Sequence, residues 1–263
     1  MSNPAPAAAP AAAAVPPNIV VFSDFDGTIA VHDTGTVIID ACMGQPARRA
    51  LDLQILAGTI SFRDAVEQMW GAVNLPWDHA VGLIRDVPLD PHFSAFHDYC
   101  LAKRIPLTVL SSGLRPLVAM LLEEYYNRGE DGMLTIVANG IEIVEDKSEG
   151  GQPTAPRWVC KWLDDTPHGH DKSLSMEKFL AARARSDNAG LRPLVVFIGD
   201  GVSDISAARH ADVVLAKRGK DLESWCKREG VAHTAWDDFG AVLDVLKKLT
   251  DEERLPQATA AAR

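Results

Sequence analysis

The sequence contains no continuous apolar run of the ~18 residues that a membrane-spanning helix requires. Its four cysteines, Cys42, Cys100, Cys160 and Cys226, are far apart in the chain, and no pair has the spacing of a metal-binding or redox motif. Scattered thiols that stay reduced are typical of cytosolic proteins. The sequence therefore predicts a cytoplasmic protein that does not bind membranes.

Basic residues are also in deficit. The 26 lysines and arginines face 36 aspartates and glutamates, which gives a formal net charge of −10. A negative field opposes binding to nucleic acid or anionic membranes, because both depend on neutralising phosphate with Lys and Arg. The charge leaves a small phosphorylated ligand open, since one cation and one lysine in a cleft reverse the field locally.

The chain of 263 residues, 47% of them hydrophobic, is sufficient for one full-sized domain and a small accessory domain. Residues 1–17 are rich in Ala and Pro and lack the basic start and strongly apolar centre of a signal peptide, so we expect a flexible tail. Residues 251–263 are interpreted as a second flexible tail.

Four short runs of apolar and β-branched residues predict buried strands at 18–22, 106–110, 194–198 and 212–216. Because stretches long enough for helices separate these runs, they predict an α/β fold with a parallel sheet covered on both faces. Residues 141–145 alternate apolar and polar side chains and could pair with 158–162. This pattern predicts an antiparallel hairpin at about 141–162, beside the main sheet.

A segment of helical character, 33–90, lies between the first two predicted strands. Its apolar residues recur at helical spacing, and Ser61 followed by Asp64 predicts a helix start. Asp90, as a cap before Pro91, predicts the start of the next helix. We interpret the segment as a helical cap domain inserted into a core domain formed by 18–32 and 91–250.

Two polar motifs directly follow predicted strands, where open α/β sheets bind their ligands. In Asp24-Phe-Asp26-Gly-Thr28, one carboxylate can attack phosphorus and the other can move a proton, although a lone pair of this kind equally suits a turn or helix cap. In Ser111-Ser112-Gly113, a hydroxyl and backbone amides can bind phosphoryl oxygens. Ser-Ser-Gly is also common in simple turns.

A lysine and two aspartates further along the chain are additional candidates for a phosphate and metal site. Lys172, just before a predicted helix, can neutralise phosphate charge, although any single lysine is usually a surface residue. Asp200, at the end of the third apolar run, can ligate Mg²⁺, and Asp204 lies where it can hold a metal-bound water or Lys172. A short basic cluster at 217–220, with Lys217, Arg218 and Lys220, is interpreted as solvated surface.

Taken in order, these motifs resemble the signature of the haloacid-dehalogenase-like (HAD) phosphatases over nearly all of residues 18–249. The resemblance implies a Rossmann-like, three-layer αβα core and Mg²⁺ as cofactor. It implies that Asp24 is the nucleophile and that Asp26 protonates the leaving alcohol and then activates water. The metal ligands would be the carboxylates of Asp24 and Asp200 and the backbone carbonyl of Asp26. The other implied roles are phosphate binding by Ser111, Ser112, Gly113 and Lys172, and support from Asp204.

The acid at Asp26 indicates a phosphatase, or less often a sugar-phosphate mutase, because an alkoxide leaving group needs a proton donor. The helical insert is similar to the C1-type cap of the phosphoserine phosphatase group. Asp33 stands where those enzymes have a substrate-contacting Glu, and Phe62 matches a cap Phe. Met69 replaces the Arg that clamps the serine carboxylate, which argues against phosphoserine as substrate.

A closer resemblance is to the fungal sugar-alcohol (polyol) phosphatases, carried by 167–173, 199–208, 216–222 and 61–63. It implies a small phosphorylated metabolite as partner, a linear polyol phosphate, with His168 and His170 as further candidates for the specificity residues. Phosphoserine, phosphocholine and a methionine-salvage phosphoketone remain alternative substrates. A phosphotransferase or mutase and a non-catalytic scaffold remain alternatives of other classes, and we expect a monomer or a homodimer.

Overall fold

A computed structural model of the protein describes residues 18–126, 128, 133–144, 157–186 and 192–252. The predicted N-terminal tail and most of the predicted C-terminal tail lie outside the described residues. Asp251 and Glu252, assigned to that C-terminal tail, instead end the last helix. No helix in the described part of the chain combines the length and apolar character needed to cross a bilayer.

Seven strands in the described residues form one sheet in the order β4-β3-β2-β1-β5-β6-β7. All neighbours are parallel except β3 and β4, which are antiparallel. The four predicted strands are confirmed as β1, β2, β5 and β6. The strand bounds are β1 Ile19–Ser23, β2 Leu107–Leu114, β3 Leu134–Val144, β4 Arg157–Lys161, β5 Leu194–Gly199, β6 Val213–Lys217 and β7 Thr234–Trp236.

The hairpin prediction is confirmed where the chain is described, since residues 140–144 of β3 pair with 157–161 of β4. The connection between the two strands lies outside the described residues. The hairpin is not separate from the main sheet, because the first half of β3 pairs in parallel with β2 and β4 becomes the edge strand.

Helices cover both faces of the sheet, which explains the continuously apolar strands. Alternate residues of β1 enter different cores: Ile19 and Val21 pack on one face, and Val20 and Phe22 on the other. The helices of the first face are α5 Phe93–Lys103, α6 Arg115–Leu121, α7 Glu123–Tyr126 and α11 Phe239–Glu252, and those of the second are α8 Lys172–Ser186, α9 Ile205–Ala208 and α10 Asp221–Glu229. The result is a three-layer αβα core.

The insert between β1 and β2 forms four helices: α1 Thr34–Met43, α2 Gln45–Leu56, α3 Phe62–Gly71 and α4 Trp77–Ile84. These four helices, termed the cap helices below, share their own apolar cluster, which also packs against Leu117 of α6 and Trp158 of β4. The predicted helix start at Ser61 is confirmed, because its side chain accepts a hydrogen bond from the Asp64 amide at 3.0 Å. The four helices confirm the helical character predicted for this segment.

The prediction that Asp90 caps a helix containing Pro91 is wrong in detail. Helix α5 begins at Phe93, with His92 at its N-cap. One Asp90 carboxylate oxygen instead accepts from the amides of His92 at 2.9 Å and Phe239 at 3.2 Å. Asp90 therefore ties the start of α5 to the start of α11.

Candidate active site

The site lies at the carboxyl ends of β2, β1 and β5, which are neighbours at the centre of the sheet. Since parallel strands end at the same edge, residues distant in sequence meet there. Asp24 follows β1, Ser111 lies near the end of β2, and Asp200 follows β5. Lys172 approaches from the first residue of α8.

Lys172 is fully buried and joins two of the acids. Its Nζ lies 2.6 Å from an oxygen of Asp24 and 2.6 Å from an oxygen of Asp204. Burial lowers the pKa of the Lys172 ammonium, but Asp204 and Asp24 outweigh burial and leave that pKa raised. A cation in the first turn of a helix opposes the helix dipole, so local helix preferences do not account for Lys172. Its position is explained by the two carboxylates.

Asp24, Asp200 and Asp204 form an acidic cluster whose nearest oxygens all lie within 4.8 Å of one another. Asp204 is engaged through both oxygens, because the one that does not contact Lys172 accepts from the amides of Asp200 and Gly201, each at 2.9 Å. Asp204 therefore orients its neighbours, and Asp24 and Asp200 are the better donors for a cation. The all-oxygen donor set suits Mg²⁺.

The pKa shifts in this cluster have a common cause. Burial raises the pKa of Asp24 well above its ordinary value, with Asp204 adding to the rise and Lys172 opposing it. Burial and then Asp204 raise the pKa of Asp200 to about 6. Crowded, desolvated carboxylates of this kind repel one another, and a bound cation relieves that repulsion. The residues present thus fit a divalent metal ion.

Gly27 allows this packing because its φ of +76° is left-handed and a Cβ there would lie 2.4 Å from an oxygen of Asp200. The Gly27 carbonyl accepts a hydrogen bond from Lys217 Nζ at 2.6 Å. The interpretation of Lys217 as solvated surface is therefore wrong: its half-buried side chain also lies over the Trp236 ring, 5.0 Å from the centroid. Arg218 is exposed and pairs with Asp237, as expected for surface, whereas exposed Lys220 borders the pocket.

Asp26 is held on two sides. One oxygen accepts from the amide and the hydroxyl of Thr34, each at 2.7 Å, and the other accepts from the Ser111 hydroxyl at 3.2 Å. Burial, with a smaller contribution from Asp33, raises the pKa of Asp26 to about 7. Both protonation states are therefore accessible near neutral pH, which is the condition for a group that gives and takes a proton.

The loop after Ser111 leaves polar groups for a ligand. The pairing of β2 with β3 shifts register between Ser111 and Leu114, so Ser112 and Gly113 bulge out of the ladder. The Gly113 amide donates to Ser111 Oγ at 2.9 Å. The Ser112 hydroxyl is buried and has no hydrogen-bond partner among the described residues. An unpartnered hydroxyl on a residue that lines the same cavity as Asp24 is suited to a phosphoryl oxygen.

A cavity of about 590 Å³ extends from these groups to the cap helices. Its core side includes Asp24, Asp26, Ser112, Gly113 and Asp200. The predicted specificity residues Asp33, Phe62 and Met69 line its cap side, and the cap-side lining also includes Thr36, Ile39, Arg48, Asp52, Ile55, Val66 and Trp70.

The two candidate histidines are not among the residues that line the cavity. His168 is exposed on the surface, whereas His170 is buried against the backbone of Ser111. The His170 ring contacts the Ser111 carbonyl at 2.8 Å and the Ser175 hydroxyl at 2.9 Å. Burial lowers the pKa of His170 to about 4, so the ring is neutral. Its position allows it to support Ser111 from behind.

Among the polar residues around the site, sequence reasoning missed Thr34, Arg48 and Asp52 and assigned Lys217 to the solvated surface. Thr34 directly follows the predicted specificity residue Asp33, and Lys217 directly follows the predicted strand 212–216. Nothing in the sequence around either residue shows which way its side chain points. Arg48 and Asp52 are four apart on α2 and form an ion pair that helical spacing predicts. That spacing does not show that the pair faces the cavity.

Both the sequence and the fold of this chain are similar to those of known proteins. The family model described as haloacid dehalogenase-like hydrolase matches residues 21–209. Pdp3-interacting factor 1 of Schizosaccharomyces pombe is 36% identical over 233 residues, covering 88% of this chain and 96% of that protein. Polyol phosphate phosphatase PYP1 of Saccharomyces cerevisiae is 31% identical over 238 residues, covering 89% and 95%.

Among solved structures, a phospho-aspartyl intermediate analogue of phosphoserine phosphatase superposes with a TM-score of 0.62. The two chains are 17% identical, and the match covers 87% of this chain and 99% of that one, so the similarity supports the fold alone. The family match and the relatives above 30% identity carry the assignment. This chain belongs to the haloacid dehalogenase-like hydrolases and is a phosphoric monoester hydrolase.

Proposed function

We propose that this chain hydrolyses the phosphomonoester of a sugar alcohol through an aspartyl-phosphate intermediate on Asp24, with Mg²⁺ as cofactor. The observation that carries the proposal is the contact of Asp24 with the buried Lys172, together with the position of Asp24 and Asp26 in the lining of one cavity. The proposal includes the helical segment 33–90 as a cap over the core formed by 18–32 and 91–250. We also expect a cytoplasmic protein that is a monomer or a homodimer.

In the first step, a carboxylate oxygen of Asp24 attacks phosphorus and forms an acyl-phosphate bond as the P–O bond to the alcohol breaks. Asp26 donates its proton to the departing alkoxide oxygen. Lys172 contacts Asp24 and places positive charge beside the phosphoryl oxygens, which carry most of the charge in the transition state. Ser111, Ser112 and Gly113 supply hydroxyl and amide donors to the same oxygens.

In the second step, Asp26, now a carboxylate, takes a proton from water as the water attacks phosphorus. The bond between phosphorus and Asp24 breaks, which releases inorganic phosphate and restores both aspartates. The two hydrogen bonds from Thr34 fix the direction of the Asp26 carboxyl group in both steps. The pKa of about 7 supports this exchange between acid and base.

Mg²⁺ would be held by the Asp24 and Asp200 carboxylates and the Asp26 backbone carbonyl, with Asp204 in support. When bound, it neutralises phosphoryl charge and orients the transferring group. The clustered, desolvated carboxylates support this assignment, because their mutual repulsion makes a cation favourable.

Two observations support a polyol as the alcohol. The relative from S. cerevisiae, at 31% identity, is named as a polyol phosphate phosphatase. Met69, buried in the cavity lining, has no positive charge for a substrate carboxylate, and Asp33 and Phe62 line the same cavity. Asp33, Phe62 and Met69 are therefore our specificity residues.

The test is phosphate release from sorbitol, ribitol, glycerol, glucose, serine and choline phosphates, with Mg²⁺ and with EDTA. We expect metal-dependent release that is fastest from the linear polyol phosphates, and none from the Asp24→Asn variant. Preference for phosphoserine or phosphocholine would retain the chemistry and refute the substrate assignment. Phosphate esters of added sugars formed without free phosphate would indicate a phosphotransferase. Inactivity toward every ester would refute the proposal.

A further inference from the structure

An ionic triad lies on the cap side of the cavity. The Arg48 guanidinium contacts both oxygens of Asp40, with Nε at 2.6 Å and Nη2 at 3.1 Å, and its Nη1 lies 2.6 Å from an oxygen of Asp52. The Arg48 side chain is only 14% exposed. Arg48 and Asp52 line the cavity, whereas Asp40 is not among its lining residues.

The triad carries a net negative charge, because two carboxylates share one guanidinium. Asp33, on the same side of the cavity, adds a further negative charge. Burial raises the pKa of Asp52, and Asp33 and Asp40 add to this against the opposing effects of Arg48 and Arg49. The aspartates around Asp52 therefore outnumber the arginines three to two, which leaves a net negative charge on the cap side.

This geometry decides which ligands the cap side accepts. An arginine binds a carboxylate best through two parallel hydrogen bonds, and Arg48 already makes that contact with Asp40. A substrate carboxylate would have to displace Asp40 or Asp52 and would meet uncompensated negative charge. Asp52, whose side chain is 41% exposed, can instead accept hydrogen bonds from hydroxyl groups.

We propose that Asp52, held by Arg48, is a specificity-determining residue that binds the distal hydroxyl groups of an uncharged substrate and rejects a carboxylate there. The inference rests on the proposed function and assigns part of its substrate selectivity. Apolar side chains on the same side, including Phe62 and Ile55, contact the carbon chain and leave polar recognition to the aspartates. Arg48 acts as a positioning residue, because it reaches the substrate through Asp52.

The experiment compares kcat/KM for sorbitol 6-phosphate and for 6-phosphogluconate. The two molecules differ at the end remote from the phosphate, where one has a hydroxymethyl group and the other a carboxylate. The quantity measured is the ratio of the two kcat/KM values on one enzyme preparation. A partly unfolded sample lowers both values equally, so the ratio reports selectivity alone.

We expect the wild-type protein to prefer sorbitol 6-phosphate. Asp52→Asn retains the side-chain shape but removes a charge, and should lower the ratio by about 10- to 100-fold, as loss of a charge-assisted hydrogen bond and of a repulsion predicts. Most of the change for sorbitol 6-phosphate should be in KM. Arg48→Gln removes the group that positions Asp52 and should lower the ratio in the same direction, mainly through a higher KM for sorbitol 6-phosphate. Asp78→Asn, the same substitution at an exposed position on α4, is the matched control and should not change it.

The outcomes separate the two proposals. A wild-type preference for sorbitol 6-phosphate with a ratio that stays within about twofold in both variants would overturn the role of the triad and leave the polyol assignment standing. Opposite shifts to those expected would do the same. A wild-type protein that hydrolyses p-nitrophenyl phosphate but does not prefer sorbitol 6-phosphate over 6-phosphogluconate would overturn both the substrate assignment and this inference.

Discussion

Replacing Lys172 by methionine removes the buried cation that contacts Asp24 and Asp204. The Lys172 side chain is 0% exposed, and the side chains of its partners are 7% and 0% exposed. Water therefore cannot replace the lost ammonium, and two repelling carboxylates remain unpaired. Breaking a buried ion pair by removing one partner costs about 3–5 kcal/mol. That is a large fraction of the ~5–15 kcal/mol that stabilises a typical domain.

The assay is urea unfolding of the metal-free protein in EDTA, followed by fluorescence, with the free energy of unfolding as readout. We expect Lys172→Met to lower it by about 3–5 kcal/mol. Lys178→Met, at an exposed position on α8, is the matched control and should change it by less than about 0.5 kcal/mol. Phosphate release by Lys172→Met, measured where the variant is folded, should fall by about 10²–10³-fold.

A second substitution isolates the electrostatic part of the stability that Lys172→Met loses. Asp204→Asn removes one of the two carboxylates that Lys172→Met leaves unpaired, so the double variant should lose less stability than the sum of the single variants. Groups in one buried network typically couple by about 0.5–3 kcal/mol. A cost below about 1 kcal/mol for Lys172→Met, or strict additivity in the double variant, would refute the buried ion-pair reasoning.

Three further predictions follow from the same structure. Mg²⁺ at 100 times its Kd should raise the free energy of unfolding by about 2.7 kcal/mol, measured in a thermal melt. Asp200→Asn should abolish most of that stabilisation. An equal stabilisation of the variant by Mg²⁺ would exclude Asp200 as a ligand. His97 is buried with no hydrogen-bond partner for either ring nitrogen among the described residues, and burial lowers its pKa. The unfolded chain therefore takes up this proton first, so stability should fall as the pH drops from ~6.5 toward the lowered pKa. His97→Leu should flatten that part of the urea-unfolding pH profile relative to exposed His79→Leu, and parallel profiles would contradict the assignment. Lys217→Met loses the hydrogen bond to the Gly27 carbonyl. It should lower kcat by about tenfold or more for every phosphate ester tested, while the ratios of KM between esters stay constant. An unchanged kcat would refute a positioning role for Lys217.

The core of the fold could be predicted because its determinants are local. Strands buried on both faces must be continuously apolar, and β1, β2, β5 and β6 have that composition. The first half of β3 and the three-residue β7 were not predicted, because each lies toward an edge of the sheet and has a short or mixed apolar pattern. Those strands are formed by pairing with a neighbour.

The candidate site was predictable for a related reason. Asp24 and Asp200 follow apolar strands, and Ser111 lies near the end of a third. In a parallel sheet the ends of adjacent strands meet whatever the sequence distance between them. Lys172 violates the local preference for acidic residues at a helix start, and violations of that kind occur where function requires them. The sequence alone therefore determined the chemical groups of the site and the edge of the sheet where they meet.

The tertiary structure alone decided which side chains surround the substrate. The register of α2 against the cavity turns Arg48 and Asp52 inward, and the fold of the loop at 162–171 leaves His168 outside and puts His170 behind Ser111. Lys217, at the end of β6, reaches the Gly27 carbonyl only because β6 and β1 end at the same edge of the sheet, on either side of β5. Each of these orientations depends on packing between segments far apart in the chain, and short sequence patterns carry no information about such packing.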